Sequence, residues 1–398
     1  MEKIKVLLYL SNSKVSEIDY ISNEFSKLEK KFKIIIHDLS VVLGSEIHNK
    51  SFNVNFYKKN YKRFDSIKLW KLALKDLKKK YNIIVFKNIA FDNFNSILIG
   101  LILKRFNFPI IYNPSPECLE YPLKKNIDYY IYRLKILSFS LIFYYIRSKL
   151  YLFLSSFIKF NLLFILKCGT FNDYNILNAK KKIIVNFHSK NYSNSLDFII
   201  KKMKNDKKNE IIFIDGAGPY FFDDYNILGK KISFNIPEWY SDINLFLKNL
   251  EKKFSSKVIV IHHPKNRKLK NPFLNESHGF FFDRTTDASL KRILNCSFVV
   301  SYNYNSTAIA YAIAFNKPWL FAYSNQIHKD LRIKTNMFDL ARATGSKVLN
   351  TNRPLFSFNQ LKINNYKYKS YKFKYLTSKF IKNVPNYKIL EKIIKNCY

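Results

Sequence analysis

Cysteine is scarce: four residues in 398, Cys118, Cys168, Cys296 and Cys397, with no CxxC pair and no metal-ligand spacing. That excludes a disulfide framework or a structural zinc site, and reduced thiols of a cytoplasmic chain are expected. Acids are also few, 29 Asp and Glu against 68 Lys and Arg, for a formal net charge of +39. A field of that sign draws anionic partners: nucleic acid, an acidic membrane or anionic substrates. Part of the excess follows the Lys, Asn, Ile, Phe and Tyr usage that an AT-rich genome favours. No helix-turn-helix, zinc finger or RNA-binding signature accompanies the charge, so no specific nucleic-acid partner is expected. The sequence has no DxD-like motif, and neither a metal nor any other cofactor is expected.

Long uncharged apolar runs are missing as well. From Tyr129 to Gly169 the chain is rich in Phe, Leu, Ile and Tyr, yet Arg133, Lys135, Arg147, Lys149, Lys159 and Lys167 interrupt it. No window reaches the roughly 20 residues that a spanning helix needs. Two readings stand for 129–169: helices lying on an anionic bilayer surface, bases toward lipid phosphates, or a buried helical hairpin. The opening "MEKIKVLLYLSNS" is too briefly apolar for a signal peptide and reads as a first strand.

What is present is an α/β rhythm. Lys5–Ser11, Phe32–Ser40, Tyr81–Asn88 and Phe108–Glu117 are Val/Ile/Leu-rich runs of the kind parallel strands show when both faces are covered. Amphipathic stretches such as Phe94–Asn107 separate them. A polar stretch around Ser189–Glu210 precedes a second such series: "IIFIDGAGPY" from Ile211, "KVIVIHHP" from Lys257, and strand Ser297–Ser301, helix Ser306–Phe315, strand Trp319–Tyr323. Two Rossmann-like domains facing a cleft are predicted, 1–195 and 196–350, with a basic, aromatic tail at 351–398. We expect the tail to form a helix packed on the first domain or to touch acidic lipid.

Three strand tips of the second domain carry chemistry, at the edge where open α/β sheets bind ligands. Asp215 with Gly216 ends the first; a carboxylate there can act as general base, and the glycine lets backbone approach a ligand. His263, Pro264 and Lys265 follow the second, with Arg267 beyond. Adjacent histidines on a strand point to opposite faces, which disfavours His262 and His263 as a metal pair; a phosphate contact by His263 suits the position better. Asn305, Ser306 and Thr307 precede a short apolar helix whose N-terminus would cradle phosphate. The plain alternatives are a turn-forming Asp-Gly, a basic loop and ordinary helix capping. Together the three tips form a minimum set for moving a sugar from a nucleotide to a hydroxyl.

The order "IDG … HHP … YNSTAIAYAIAFNKP" resembles the C-terminal half of bacterial GT-B glycosyltransferases that use CMP-activated sugars, the sialyltransferase and Kdo-transferase type. The resemblance implies Asp215 as base, His263 as phosphate ligand or leaving-group acid, and Ser306 with Thr307 as phosphate donors. It departs in having one carboxylate, Asp215, where that family has two acids before the glycine. It further implies a CMP-linked nucleotide-sugar donor and a glycan or lipid-linked acceptor of the bacterial surface, and the surface bases of a cytoplasmic chain are expected to keep it near the anionic inner face of the cell membrane. A similar strand–Ser/Thr–helix–"NKP" pattern in teichoic-acid glycerophosphotransferases keeps a CDP-polyol donor as the alternative. A basic nucleic-acid-binding protein is the alternative from another class.

Overall fold

The computed structural model describes residues 3–44, 60–114, 139–170, 177–200, 209–216, 234–262, 271–285, 287–302, 306–326, 331–352, 357–381 and 383–397. They form two compact α/β units, each a Rossmann-like parallel sheet with helices. The first takes the described residues up to 114, then 139–193 and 377–397; the second takes 194–376.

The first unit's sheet contains β1 (Lys5–Ser11), β2 (Lys33–Asp38), β3 (Tyr61–Arg63), β4 (Asn82–Asn88), β5 (Ile110–Tyr112), β6 (Lys159–Cys168) and β7 (Asn178–Phe187). Their order is β3-β2-β1-β4-β5-β6-β7, every pairing parallel. Parallel strands covered on both faces need continuous aliphatic runs, and β1 supplies one: Val6 to Leu10 are all buried. The stretch 159–168 is strand β6, correcting a helical reading of the whole region 129–169. Its alternate residues Leu163 and Ile165 join one core cluster, and Phe164 and Leu166 the other. Only Phe139–Ser156 of that region is described as helix.

Buried bases of this unit include His37 and Lys87. His37 accepts a hydrogen bond from Trp70 Nε1 at 3.1 Å, and burial, aided by Lys62, lowers it to about 3, so it is neutral. Lys87 lies near the end of β4, its ammonium 3.8 Å from the Phe91 ring centroid and donating to Ile89 O. Burial lowers it to about 7, with Asp92 opposing.

The basic segment at the C-terminus is divided. Residues 357–376 belong to the second unit, where Tyr368 donates its hydroxyl to Lys317 O at 2.9 Å. The helix Asn386–Asn396 belongs to the first, burying Leu390, Ile393 and Ile394 against Leu7, Phe25 and Ile36. Glu24, buried and in the left-handed region at φ 57°, anchors it by accepting from Tyr387 N (3.0 Å) and Ser193 Oγ (2.9 Å). Asn386 bridges to His188 at both ends, accepting from His188 N at 3.0 Å and donating to His188 O at 2.9 Å.

The second unit's sheet contains β8 (Glu210–Ile214), β9 (Lys257–Ile261), β10 (Phe281–Phe282), β11 (Phe298–Ser301), β12 (Trp319–Tyr323) and β13 (Lys347–Asn350), in the order β10-β9-β8-β11-β12-β13, again all parallel. The chain runs outward through β8, β9 and β10, then restarts at β11 beside β8 and runs the other way. The strand order therefore reverses between β8 and β11, a topological switch point.

Candidate functional site

Strand register builds the site. Ile214 pairs with Ile261 on one side and Ser301 on the other, so the next residues, Asp215, His262 and Tyr302, emerge level at the carboxyl edge. In-register residues of neighbouring parallel strands point to one face, and these three meet. Asp215 Oδ2 lies 2.6 Å from His262 Nδ1. Tyr302 donates its hydroxyl to Asp215 Oδ1 at 2.5 Å, with Gly216 O 3.1 Å away. All three are buried, Asp215 to 1% exposure.

Burial of this kind would strongly disfavour an unpaired carboxylate; two donors, one on each oxygen, offset that. Burial, with the Asp215 carboxylate beside it, pushes the Tyr302 phenol well above its ordinary range. Tyr302 is consequently a permanent donor. In the tautomer with hydrogen on Nδ1, His262 donates to Asp215 Oδ2, and Nε2 is then the ring nitrogen with a free lone pair. The imidazole stacks on Phe282, centroids 4.8 Å apart at 23°.

The helix Ile236–Phe254 walls the cluster. Asn235 caps it, its side chain accepting from Glu238 N at 3.2 Å, and Pro237 fits its first turn. That start sets Trp239 against the Tyr302 ring at 5.7 Å and Tyr240 Oη 3.5 Å from Tyr302 Oη. Tyr240 in turn stacks on Phe273 and lines a surface hollow of about 370 Å³ with Asn244, Lys248 and His278.

Of the residues singled out in the sequence, Asp215 and Gly216 stand at this switch point. His263, Pro264, Lys265, Arg267 and Asn305 lie outside the described residues. Ser306 and Thr307 precede the helix Ile309–Ala314, which starts later than a Ser306 start predicts. Ala308 is its N-cap, with no side-chain cap, and Ser306 O and Thr307 O accept from Ile309 N and Ala310 N in a preceding turn. The helix closes early because Lys317 N returns to Ala312 O at 2.8 Å, and Lys317 Nζ donates to Cys296 O at 2.8 Å. Sequence reading missed His262 and Tyr302 as partners of Asp215. The usable signal was their shared offset, each the first residue past an aliphatic strand. Among the described residues no group of three or more His, Cys, Asp and Glu gathers as a metal site.

Strand order and register define the class: an α/β protein of two doubly wound parallel sheets, with a buried Asp-His-Tyr cluster at the switch point of the second. No family model matches the chain, and no curated protein matches its sequence. Among solved structures it is similar over its length to UDP-GlcNAc 2-epimerase from Neisseria meningitidis bound to UDP-GlcNAc, at 15% identity, covering 99% of this chain and 100% of that one with a TM-score of 0.46. It is also similar to the glycosyltransferase SnogD from Streptomyces nogalater (9% identity, 99% of each chain, TM-score 0.44). MurG of Acinetobacter baumannii follows at 9% identity, 98% of this chain and 99% of that one, TM-score 0.39. Likeness at this level carries no argument about activity; the fold class rests on the sheets themselves.

Proposed function

We propose that this chain is a glycosyltransferase that takes a sugar from a nucleotide donor, with the nucleotide held at the carboxyl edge of the second unit. The observation that supports this is the Asp215–His262–Tyr302 cluster, a proton-handling group assembled from three strands at a switch point. In this reading Asp215 serves as base through His262. Tyr302 fixes the carboxylate, the carboxylate fixes Nδ1–H, and Nε2 takes the proton of the acceptor hydroxyl. The hydroxyl oxygen bonds to the anomeric carbon as the bond from that carbon to the phosphate oxygen breaks, and the electron pair leaves with the phosphate. Ser306 and Thr307, and the basic His263-Pro264-Lys265 segment, neutralise that phosphate.

The donor assigned is CMP-linked, on the motif resemblance, and the acceptor a hydroxyl of a bacterial surface glycan. A titration calorimetry series with CMP, CDP and UDP, followed by turnover of a CMP-sugar, tests both parts. CMP is expected to bind with preference. Asp215→Asn and His262→Gln, if folded, are expected to lower turnover by about 10²–10⁴-fold while leaving CMP affinity within a few-fold. Preference for UDP would move the donor class, and CDP-polyol turnover would move the reaction to phosphopolyol transfer. Full turnover in folded Asp215→Asn would remove the cluster from catalysis.

A further inference from the structure

The helix Phe139–Ser156 of the first unit presents an apolar face outward. Ile142, Phe143, Ile146, Leu150, Phe153 and Leu154 are 39–62% exposed, an uncommon density of large apolar side chains on one helix. At about 100° per residue these six fall within one arc of roughly 120°. Arg147 lies about 20° beyond one edge of that arc and Lys149 about 20° beyond the other, both exposed. The opposite side faces the protein: Tyr151 packs on the first unit's core and Ser155 is fully buried. The neighbouring helix Phe94–Phe106 continues the surface with exposed Phe94, Leu101 and, one turn on, Arg105. Neither helix contains an acidic residue.

We infer that this face is a docking surface for an anionic lipid bilayer, with the helix lying in the plane of the interface. An apolar arc bordered on both flanks by long cationic side chains matches a layer whose interior is hydrocarbon and whose surface carries phosphate. The helix lies on the bilayer and does not cross it: Arg147 and Lys149 sit at its middle, and no helix among the described residues is long and apolar enough to span. The absence of acids on both helices sets the sign of the partner. A second copy of this chain would bring the same cations face to face.

The test is co-sedimentation of the full chain with vesicles of phosphatidylglycerol and phosphatidylethanolamine, against pure phosphatidylcholine, at low and high salt. Because a chain of +39 adheres to any anionic surface, the controls are matched in charge. Ile146→Glu/Phe153→Glu alters the proposed face; Leu245→Glu/Phe281→Glu alters two equally exposed apolar residues of the second unit. All four positions are exposed, so folding should survive, and circular dichroism verifies it. The first pair is expected to weaken partition into anionic vesicles at least tenfold, the second less than about twofold. A Phe153→Trp reporter is expected to shift blue with those vesicles, the three native tryptophans being buried. Equal loss in both pairs would make the adhesion diffuse charge attraction and overturn the assignment. So would absence of vesicle binding, or a solution dimer that Ile146→Glu dissolves.

Discussion

Tyr302→Phe removes one oxygen from the centre of the candidate site and nothing else. The ring keeps its packing on Trp239 and on Phe213, both at 5.7 Å, so no cavity opens. What disappears is the Tyr302 donor to Asp215 Oδ1, one hydrogen bond to a buried carboxyl group. A hydrogen bond to a charged group contributes about 1.5–3 kcal/mol net. For a unit of this size each kcal/mol moves Tm by roughly 2–4 °C, so a fall of about 3–12 °C is expected. Circular dichroism melts and urea midpoints at pH 7 measure it. A double-mutant cycle with Asp215→Asn is expected to show coupling of about 1–3 kcal/mol, because Tyr302→Phe removes the donor of this bond and Asp215→Asn removes the charge of its acceptor. The wild type should also lose stability above pH 10. There the unfolded chain ionises this phenol while the folded one, pushed upward by burial, keeps it protonated. Tyr302→Phe should show a smaller alkaline loss. A Tm within 1 °C of wild type at pH 7, together with additive mutant effects, would refute the reasoning.

Three further outcomes are expected. Lys87→Met should be more stable than wild type by roughly 1–3 kcal/mol at pH 7, since the unfolded lysine holds a proton that the buried one, lowered to about 7, gives up at moderately alkaline pH; denaturant midpoints should show the advantage shrinking toward pH 10. His37 is neutral when folded, lowered to about 3, whereas its unfolded form takes a proton near pH 6.5, so it contributes stability that is lost as pH falls from about 6.5 toward 3; His37→Gln should flatten that acid slope in unfolding titrations. Asn386→Ala removes two hydrogen bonds to the His188 backbone, and hydrogen exchange in 386–396 should rise by about 30-fold, the factor that a loss of roughly 2 kcal/mol of local stability gives.

Strands with uniform aliphatic interiors were legible from sequence: β1 is found where "KVLLYLS" predicts it, and β8, β9 and β12 at their aliphatic runs. Strand β7 was not, because it is an edge strand whose Lys180, Lys181 and Lys182 interrupt any apolar pattern. Strand β6 was masked differently. "KFNLLFILKC" continues the lysine-and-aromatic rhythm of the helix before it, and only Phe157 and Ile158 separate the two. At the site, Asp215 was legible from its place after "IIFI", but its partners were not. Three strand tips separated by 47 and 40 positions become neighbours only through strand order and register, which no local pattern encodes. His262 was passed over for His263 because a dipeptide shows two imidazoles and not which one meets a carboxylate from the adjacent strand.

The unit that is made first is finished last. Its core closes over Leu390, Ile393 and Ile394, which reach Leu7 and Phe25 only after the whole second unit has been synthesised. At bacterial or eukaryotic elongation rates the intervening stretch of about 200 residues takes roughly 10–40 s. Throughout that interval the nascent first unit carries an open apolar trough beside Glu24, whose carboxylate still lacks Tyr387. A nascent chain of this protein therefore carries that apolar surface uncovered for about half of its synthesis, and termination between the end of the first unit's sheet and Leu390 releases a product that never covers it.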